Sequence, residues 1–348
     1  MDICEPERSS TNNHCLVSTP STKFLAPEDV SYLRSRGAFD LPASHIQEIL
    51  IRCYFHHVHP FSPILDPRQF ILDYESGRVS ILLLWSIFVA SASFVDDTLL
   101  TQDFYTSRTS LKRSVYQRAK VLYDLNYEQD KITLIQSVFL VRFWYTTSDD
   151  RQGPWHWNGI AISLSHTIGL HRLPKLPSQG CGNIQPFWRG LWWSICCREV
   201  WLSLGQGRPM RIPLDDMDTP VPGCFDAEVF VPEDSTDSCL KYLPGELSEL
   251  NTDWKILIKL SITLGTILST HYRAKSTKPT RSDVEHCERE IRACSYDLPA
   301  TQHQSRMAAS HRYQFRIYLR QRSLYCIDHS YSRPLEMSRW STRSHGEH

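Results

Sequence analysis

The uninterrupted apolar run Ile81–Val95 (ILLLWSIFVASASFV) constrains the fold more than any other segment. It falls short of the ~20 residues a bilayer requires and stops against Asp96 and Asp97, so it reads as a buried helix rather than a membrane span. Other segments carry helical patterning. From Ser44 onward, Ile46, Ile49, Leu50, Cys53, Tyr54 and Val58 recur at helical spacing, with Ser44 and Gln47 three apart as a capping box and Pro60 closing the helix. Asp66-Pro67 offers a cap followed by proline at the first helical position, for a short helix that carries Phe70, Ile71 and Tyr74 and stops at Gly77. Further helices are expected over 80–95, 101–125, 131–147, 154–170, 185–204, 251–273, 281–296 and 305–326. No run of alternating Val/Ile/Thr is bounded by hairpin turn signals, and the helices do not repeat at a fixed period. The expected fold class is all-α, an irregular multi-helix bundle.

With 348 residues and 41% hydrophobic content, the chain can build one large or two ordinary domains. Lys+Arg and Asp+Glu are each 38, so the formal charge is zero and no global positive field draws the chain to nucleic acid or anionic membrane. The 11 Cys include no Cys-x-x-Cys, and Met1–Ser10 is polar and acidic without an apolar run, which reads as free thiols in a reducing compartment. No Asn-x-Ser/Thr acceptor occurs, and no membrane partner is expected. The organisation expected is a flexible polar leader over 1–36, a main helical domain over 37–225, a linker over 226–250, a trailing helical segment over 251–326 and a basic, disordered or aberrant tail over 327–348.

Three segments stand out in chain order. The first, Leu41–Phe70, carries Tyr54-Phe55, then Val58-His59-Pro60, then Pro63-Ile64-Leu65-Asp66 and Phe70. The second, Trp157–Arg172, places the small residues Gly159, Ala161, Ser163 and Ser165 where another helix can approach closely, and Gly169 before His171-Arg172 as a left-handed cap. The third, Leu191–Pro222, is a helix with Trp192, Trp193 and Arg198 that runs into Gly207-Arg208-Pro209 and then Asp216, Asp218, Pro220 and Pro222. Together they resemble the fungal-specific transcription factor domain, the middle homology region of fungal zinc-cluster regulators, over about residues 39–225. The opening Gly37–Pro42 is similar to the cutinase transcription factor branch. The resemblance implies an all-α regulatory or effector module of a nuclear regulator of metabolic or secondary-metabolite genes. Its partners would be other transcription-regulatory proteins and a small-molecule effector, and the residues named would be structural or effector-facing.

That family binds DNA through six cysteines at zinc-cluster spacing. Only Cys4 and Cys15 precede the helical block here, so zinc is expected only in a cluster these residues do not include, no cofactor is assigned to the chain, and DNA is reached through a missing or partner domain. Measured against the family, both ends look truncated. The Arg-rich 306–348 stretch reads as a solvated face or an aberrant end before a nucleic-acid patch, and Tyr331–Pro334 as a degraded echo of a family segment.

His56 and His59, three apart at a helix end, invite a shared ion, but no carboxylate or Cys completes the set nearby and Pro60 interrupts the helix, so packing is favoured. His171-Arg172 suits a helix C-terminus through the dipole. Asp215, Asp216 and Asp218 lie in a Pro-rich loop without the Asp-Asp-x-x-Asp/Glu spacing that clamps magnesium diphosphate. Cys196-Cys197 read as core packing. Trp155/Trp157 and Trp188/Trp192/Trp193/Trp201 are either core or the lining of a small-molecule pocket. No catalytic, cofactor-binding or metal-ligating residue is assigned and no enzyme activity is expected. The alternative is a helical small-molecule-binding or catalytic protein that has lost the regulatory role.

Overall fold

The computed structural model describes residues 24–96, 107–145, 152–172, 184–222, 241–245, 247–271 and 280–296. These residues form ten α-helices and, among them, no strand: α1 Pro27–Ser35, α2 Ser44–Cys53, α3 Pro67–Glu75, α4 Ile81–Ser91, α5 Arg108–Asp124, α6 Lys131–Val141, α7 Pro154–Thr167, α8 Ile184–Gln206, α9 Leu247–His271 and α10 Arg281–Tyr296. The all-α class is as expected from the sequence. The expected helix over 305–326 and the basic tail lie outside the described residues, as do 97–106, which include the start of the helix expected over 101–125.

α4 is the centre. Every residue from Ile81 to Ser91 is buried, and α2, α5 and α6 pack around it. Each large apolar side chain so removed from water contributes roughly 1.5–3 kcal/mol, and the helix shares the core with apolar residues from each of the helices packed around it. Its hydroxyls are satisfied within the helix: Ser86 Oγ donates to the Leu82 carbonyl at 2.8 Å and Ser91 Oγ to that of Ile87 at 2.7 Å. Trp85 Nε1 donates to the Ala38 carbonyl at 2.8 Å, and the Arg118 guanidinium lies over the Trp85 ring while its Nε donates to the Gly37 carbonyl at 2.9 Å. From α4 the packing passes through α6, α7, α8 and α9 to α10 in turn.

Three local readings are revised. Ordered structure starts ahead of Gly37, because α1 lies within the stretch read as leader. Pro27 starts it, Glu28 and Asp29 complement its dipole, and Leu33 alone is buried. A single buried residue leaves no apolar periodicity to detect. The capping box at Ser44 does not form: Ala43 is the N-cap, and Gln47 donates from Nε2 to the Pro42 carbonyl at 2.7 Å and accepts from Tyr74 at 3.3 Å. Gln47 therefore ties the Leu41-Pro42 turn to α3. Finally, α2 does not run as α-helix to Pro60. It widens into a π turn over Tyr54–Val58 and tightens into a 3-10 turn over His59–Phe61. The Pro60 ring would strike the carbonyl four residues back in an α-helix, and the wider turn precedes it. The Asp66 cap forms as read, its side chain accepting from Gln69 N at 3.0 Å.

The same turn buries His59. Its ring lies 5.9 Å from that of Tyr54 and 5.3 Å from that of Phe55, and burial lowers its pKa to about 3. Between about pH 6.5 and that value the unfolded chain takes up a proton that the folded chain does not. Stability from a neutral His59 is thus complete above about pH 6.5 and is lost as pH falls toward 3. In urea unfolding series, wild type should lose stability relative to His59→Phe at up to about 1.4 kcal/mol per pH unit below about pH 6. Parallel curves would show that His59 does not couple folding to protonation.

Candidate functional site

α8 carries two adjacent charges in an otherwise apolar segment, Arg198 and Glu199. A carboxylate buried there demands a partner. The Glu199 side chain is fully buried and meets Arg211, which lies beyond the helix end: Arg211 Nε and backbone N both donate to Glu199 Oε1 at 2.9 Å, and Nη2 donates to Oε2 at 2.5 Å. Asn158 of α7 adds its Nδ2 to Glu199 Oε2 at 2.9 Å. The Arg211 guanidinium also covers the Trp155 ring at 3.7 Å and donates from Nη1 to the Trp155 carbonyl at 2.8 Å. A Cβ on Gly159 would sit 2.3 Å from that Nη1. An alanine at 159 would have to displace the guanidinium, whereas the sequence had suggested the approach of another helix.

The loop after α8 closes against the end of α7. Gly169 takes a φ of +75° and ends α7, with its N–H bonded to the His166 carbonyl and the Leu170 N–H to that of Ser165. The corner so formed receives the loop: Asp218 N donates to the His171 carbonyl at 3.1 Å and Thr219 Oγ1 to that of Leu170 at 2.6 Å. Trp193 Nε1 donates to the Pro220 carbonyl at 2.9 Å. The His171 ring packs on His166 at 4.7 Å and Trp192 at 6.0 Å, and burial, with His171 adding to it, lowers the His166 pKa.

On the other face of α8 lies a cavity of about 310 Å³. Ser194, Cys197, Arg198 and Trp201 line it at helical spacing, facing His56, His57, Pro60 and Phe61 of the N-terminal turns, Arg142 and Phe143 just after α6, and Leu250 and Leu257 of α9. Arg142 is 3% exposed; its guanidinium lies over Phe139 at 3.9 Å and Phe143 at 4.5 Å, and Nη2 donates to Ser62 Oγ at 3.1 Å. Arg198 donates to the Tyr145 hydroxyl at 2.6 Å. Burial pushes the Cys197 thiol up to about 12, so it is a neutral wall rather than a nucleophile.

Residues 51–331 match the family model for the fungal specific transcription factor domain. The chain belongs to the fungal specific transcription factor domain family. Cutinase transcription factor 1 beta of Fusarium vanettenii is 37% identical over 230 residues, covering 65% of this chain and 26% of that protein. Transcription factor cpaR of Aspergillus oryzae is 33% identical over 290 residues, 79% of this chain and 48% of that protein, and an acetamidase regulatory protein of Aspergillus fumigatus is 31% identical over 188 residues, 52% and 23%. The chain thus spans from about a quarter to about a half of the length of these relatives. No solved structure matches it.

The family-motif residues fall into distinct places. Tyr54, Phe55, His59, Pro60 and Phe70 are buried, with Pro60 also on the cavity wall, and Asp66 caps α3. Trp157, Ala161 and Trp192 are core, and Trp193 holds the loop. Gly207 takes a φ of +60° where α8 ends; Arg208, Pro209, Arg172, Asp216, Asp218 and Pro220 are exposed. Of the six tryptophans read as core or pocket lining, only Trp201 reaches the cavity. His56 and His59 do not converge: the first lines the cavity and the second turns into the core, and among the described residues no three His, Cys, Asp or Glu cluster to hold a metal. Arg211, Glu199, Asn158, Ser194 and Arg142 were not singled out from sequence. The available signal was charge inside apolar helices: Glu199 in a Trp-rich segment and Arg142 in SVFLVRFWY.

Arg211→Ala should cost about 3–5 kcal/mol, because it strands a buried carboxylate. Adding Glu199→Gln should recover part of that loss, as read from denaturant midpoints of the two variants. Gly159→Ala should cost about 1–3 kcal/mol by displacing the guanidinium. A wild-type midpoint in all three variants would show that the cluster does not hold the fold.

Proposed function

We propose that this domain regulates transcription in the nucleus, in contact with other transcription-regulatory proteins, and that it has no catalytic role. The observation that carries the reading is the family match across 51–331. Two of the three segments behind the resemblance support it by converging: the end of α7, Trp193 of α8 and the Asp218–Pro220 loop form one hydrogen-bonded corner. Contact with DNA would come through an element outside these 348 residues or through a partner, since the chain has no Cys-x-x-Cys and no net positive charge. Relatives named as an acetamidase regulator and as a fusaric acid cluster transcription factor support metabolic or secondary-metabolite genes as the targets.

A fusion of the full chain to a heterologous DNA-binding domain should change transcription of a reporter carrying the matching sites, and a fluorescent fusion should accumulate in the nucleus. Arg211→Ala should weaken the reporter effect in proportion to the folded protein lost. A tethered chain that is folded and abundant yet leaves the reporter at its basal level would overturn the regulatory reading.

A further inference from the structure

Among the described residues, Lys112 of α5 is a half-buried cation that no carboxylate pairs with. Its Nζ donates to Ser93 Oγ at 2.6 Å and lies 5.6 Å from the centre of the Tyr145 ring. Lys120 and Lys241 differ: the first pairs with Asp124 and the second with Glu48, each at 2.5 Å. A lysine withdrawn from water is costly unless an anion holds it, so the fold favours an uncharged amine at this position.

The surroundings act in the same direction. Helical side chains lean toward the N-terminus of their helix, which sets the Lys112 amine near the positive end of the α5 dipole, behind the Ser107 cap. Arg108 lies one turn before it and Arg113 beside it, both exposed. Asp96, three residues beyond Ser93, is exposed and does not pair with it. On the far side of the Tyr145 ring is another cation, since Arg198 donates to the Tyr145 hydroxyl at 2.6 Å. Burial lowers the Lys112 pKa to about 8, whereas the hydrogen bond to Glu48 raises that of Lys241. At neutral pH the uncharged fraction of such an amine is roughly a hundred times that of an ordinary lysine. Desolvation beside other cations is one way that proteins make a lysine nucleophilic. The partners of the amine reach the surface: Tyr145 is 55% exposed, and Phe94, next to Ser93, is 40% exposed.

We propose that Lys112 is a site of acylation by short-chain acyl thioesters. The uncharged Nζ attacks the thioester carbonyl carbon, a C–N bond forms as the C–S bond breaks, and the sulfur leaves as the thiol with the proton that the nitrogen gives up. The amide that remains is neutral, so the burial that disfavours the ammonium does not disfavour the product. Acylation also takes the cation off the Tyr145 ring, whose hydroxyl holds Arg198 on the cavity wall. Such a site stands apart from the regulatory reading, because acylation is read on the purified chain and transcription in the tethered assay.

The purified full chain is incubated with acetyl-coenzyme A, and acetyl occupancy at each lysine is followed over time by mass spectrometry. At about pH 7, Lys112 should acetylate on the order of tenfold faster than Lys120 and Lys241, its partial cover and lower basicity offsetting some of the gain in uncharged amine. Its rate should level off above about pH 8, while theirs keeps rising. Lys112→Arg should remove the fast site. Ser93→Asp places a carboxylate beside the amine and should slow acetylation of Lys112 to the rate of the other two. A wild-type rate at Lys112 no greater than at Lys120 and Lys241, or one that rises with pH as theirs does, would overturn the assignment. An unchanged rate in Ser93→Asp would overturn the lack of a counter-charge as its cause.

Discussion

The buried carboxylate of Glu199 organises the half of the molecule that carries the family segments. An ionised group removed from water in an apolar helix is tolerable only with a hydrogen-bonded counter-charge, and Arg211 supplies it from the chain beyond the end of α8. To reach Glu199, that chain must double back over α7, where Asn158 donates to the same carboxylate and Trp155 offers its ring and carbonyl to the guanidinium. Gly159 follows from this geometry rather than from helix packing. The Asp218–Pro220 loop then lies within reach of the Gly169 corner, and its backbone and Thr219 hydroxyl find their partners there.

The same anchor decides what the opposite face of α8 can do. A helix held along one side by a bidentate ion pair presents Ser194, Cys197, Arg198 and Trp201 at defined positions on the other. Adjacent residues of a helix point about 100° apart, so Arg198 and Glu199 look alike in sequence but serve different surroundings. Glu199 is fully satisfied, whereas Arg198 retains a buried donor. The N-terminal turns complete the enclosure. The π turn before Pro60 directs His59 into the aromatic core and leaves His56 and His57 on the cavity wall, an instance of local helix irregularity meeting a candidate site.

The residues show unevenly what could be read in advance. Ile81–Ser91 was legible as a buried helix because its apolar run has no polar face, and Asp66-Pro67 and Gly169 were legible because cap and left-handed turn chemistry are local. The capping box at Ser44 failed although its pattern was present. The helix found its N-cap one residue earlier, and Gln47 was taken by a tertiary bond to Pro42. Of the tryptophans read as core or pocket lining, only Trp201 borders the cavity, since ring size marks a residue for burial without saying which void it borders.

By itself, the sequence determined the all-α class, the central buried helix, most helix positions and the family, because each follows from local periodicity, terminal chemistry or ordered motifs within one stretch of chain. Only the tertiary structure decided that Glu199 pairs with Arg211, that Gly159 makes room for a guanidinium and that Ser194 and Arg198 face a cavity with Arg142. The first depends on how the chain turns after α8, and the others are contacts between elements distant in the chain. Which face of α8 meets which neighbour depends on where α6, α7 and α9 pack, and no spacing within α8 encodes it.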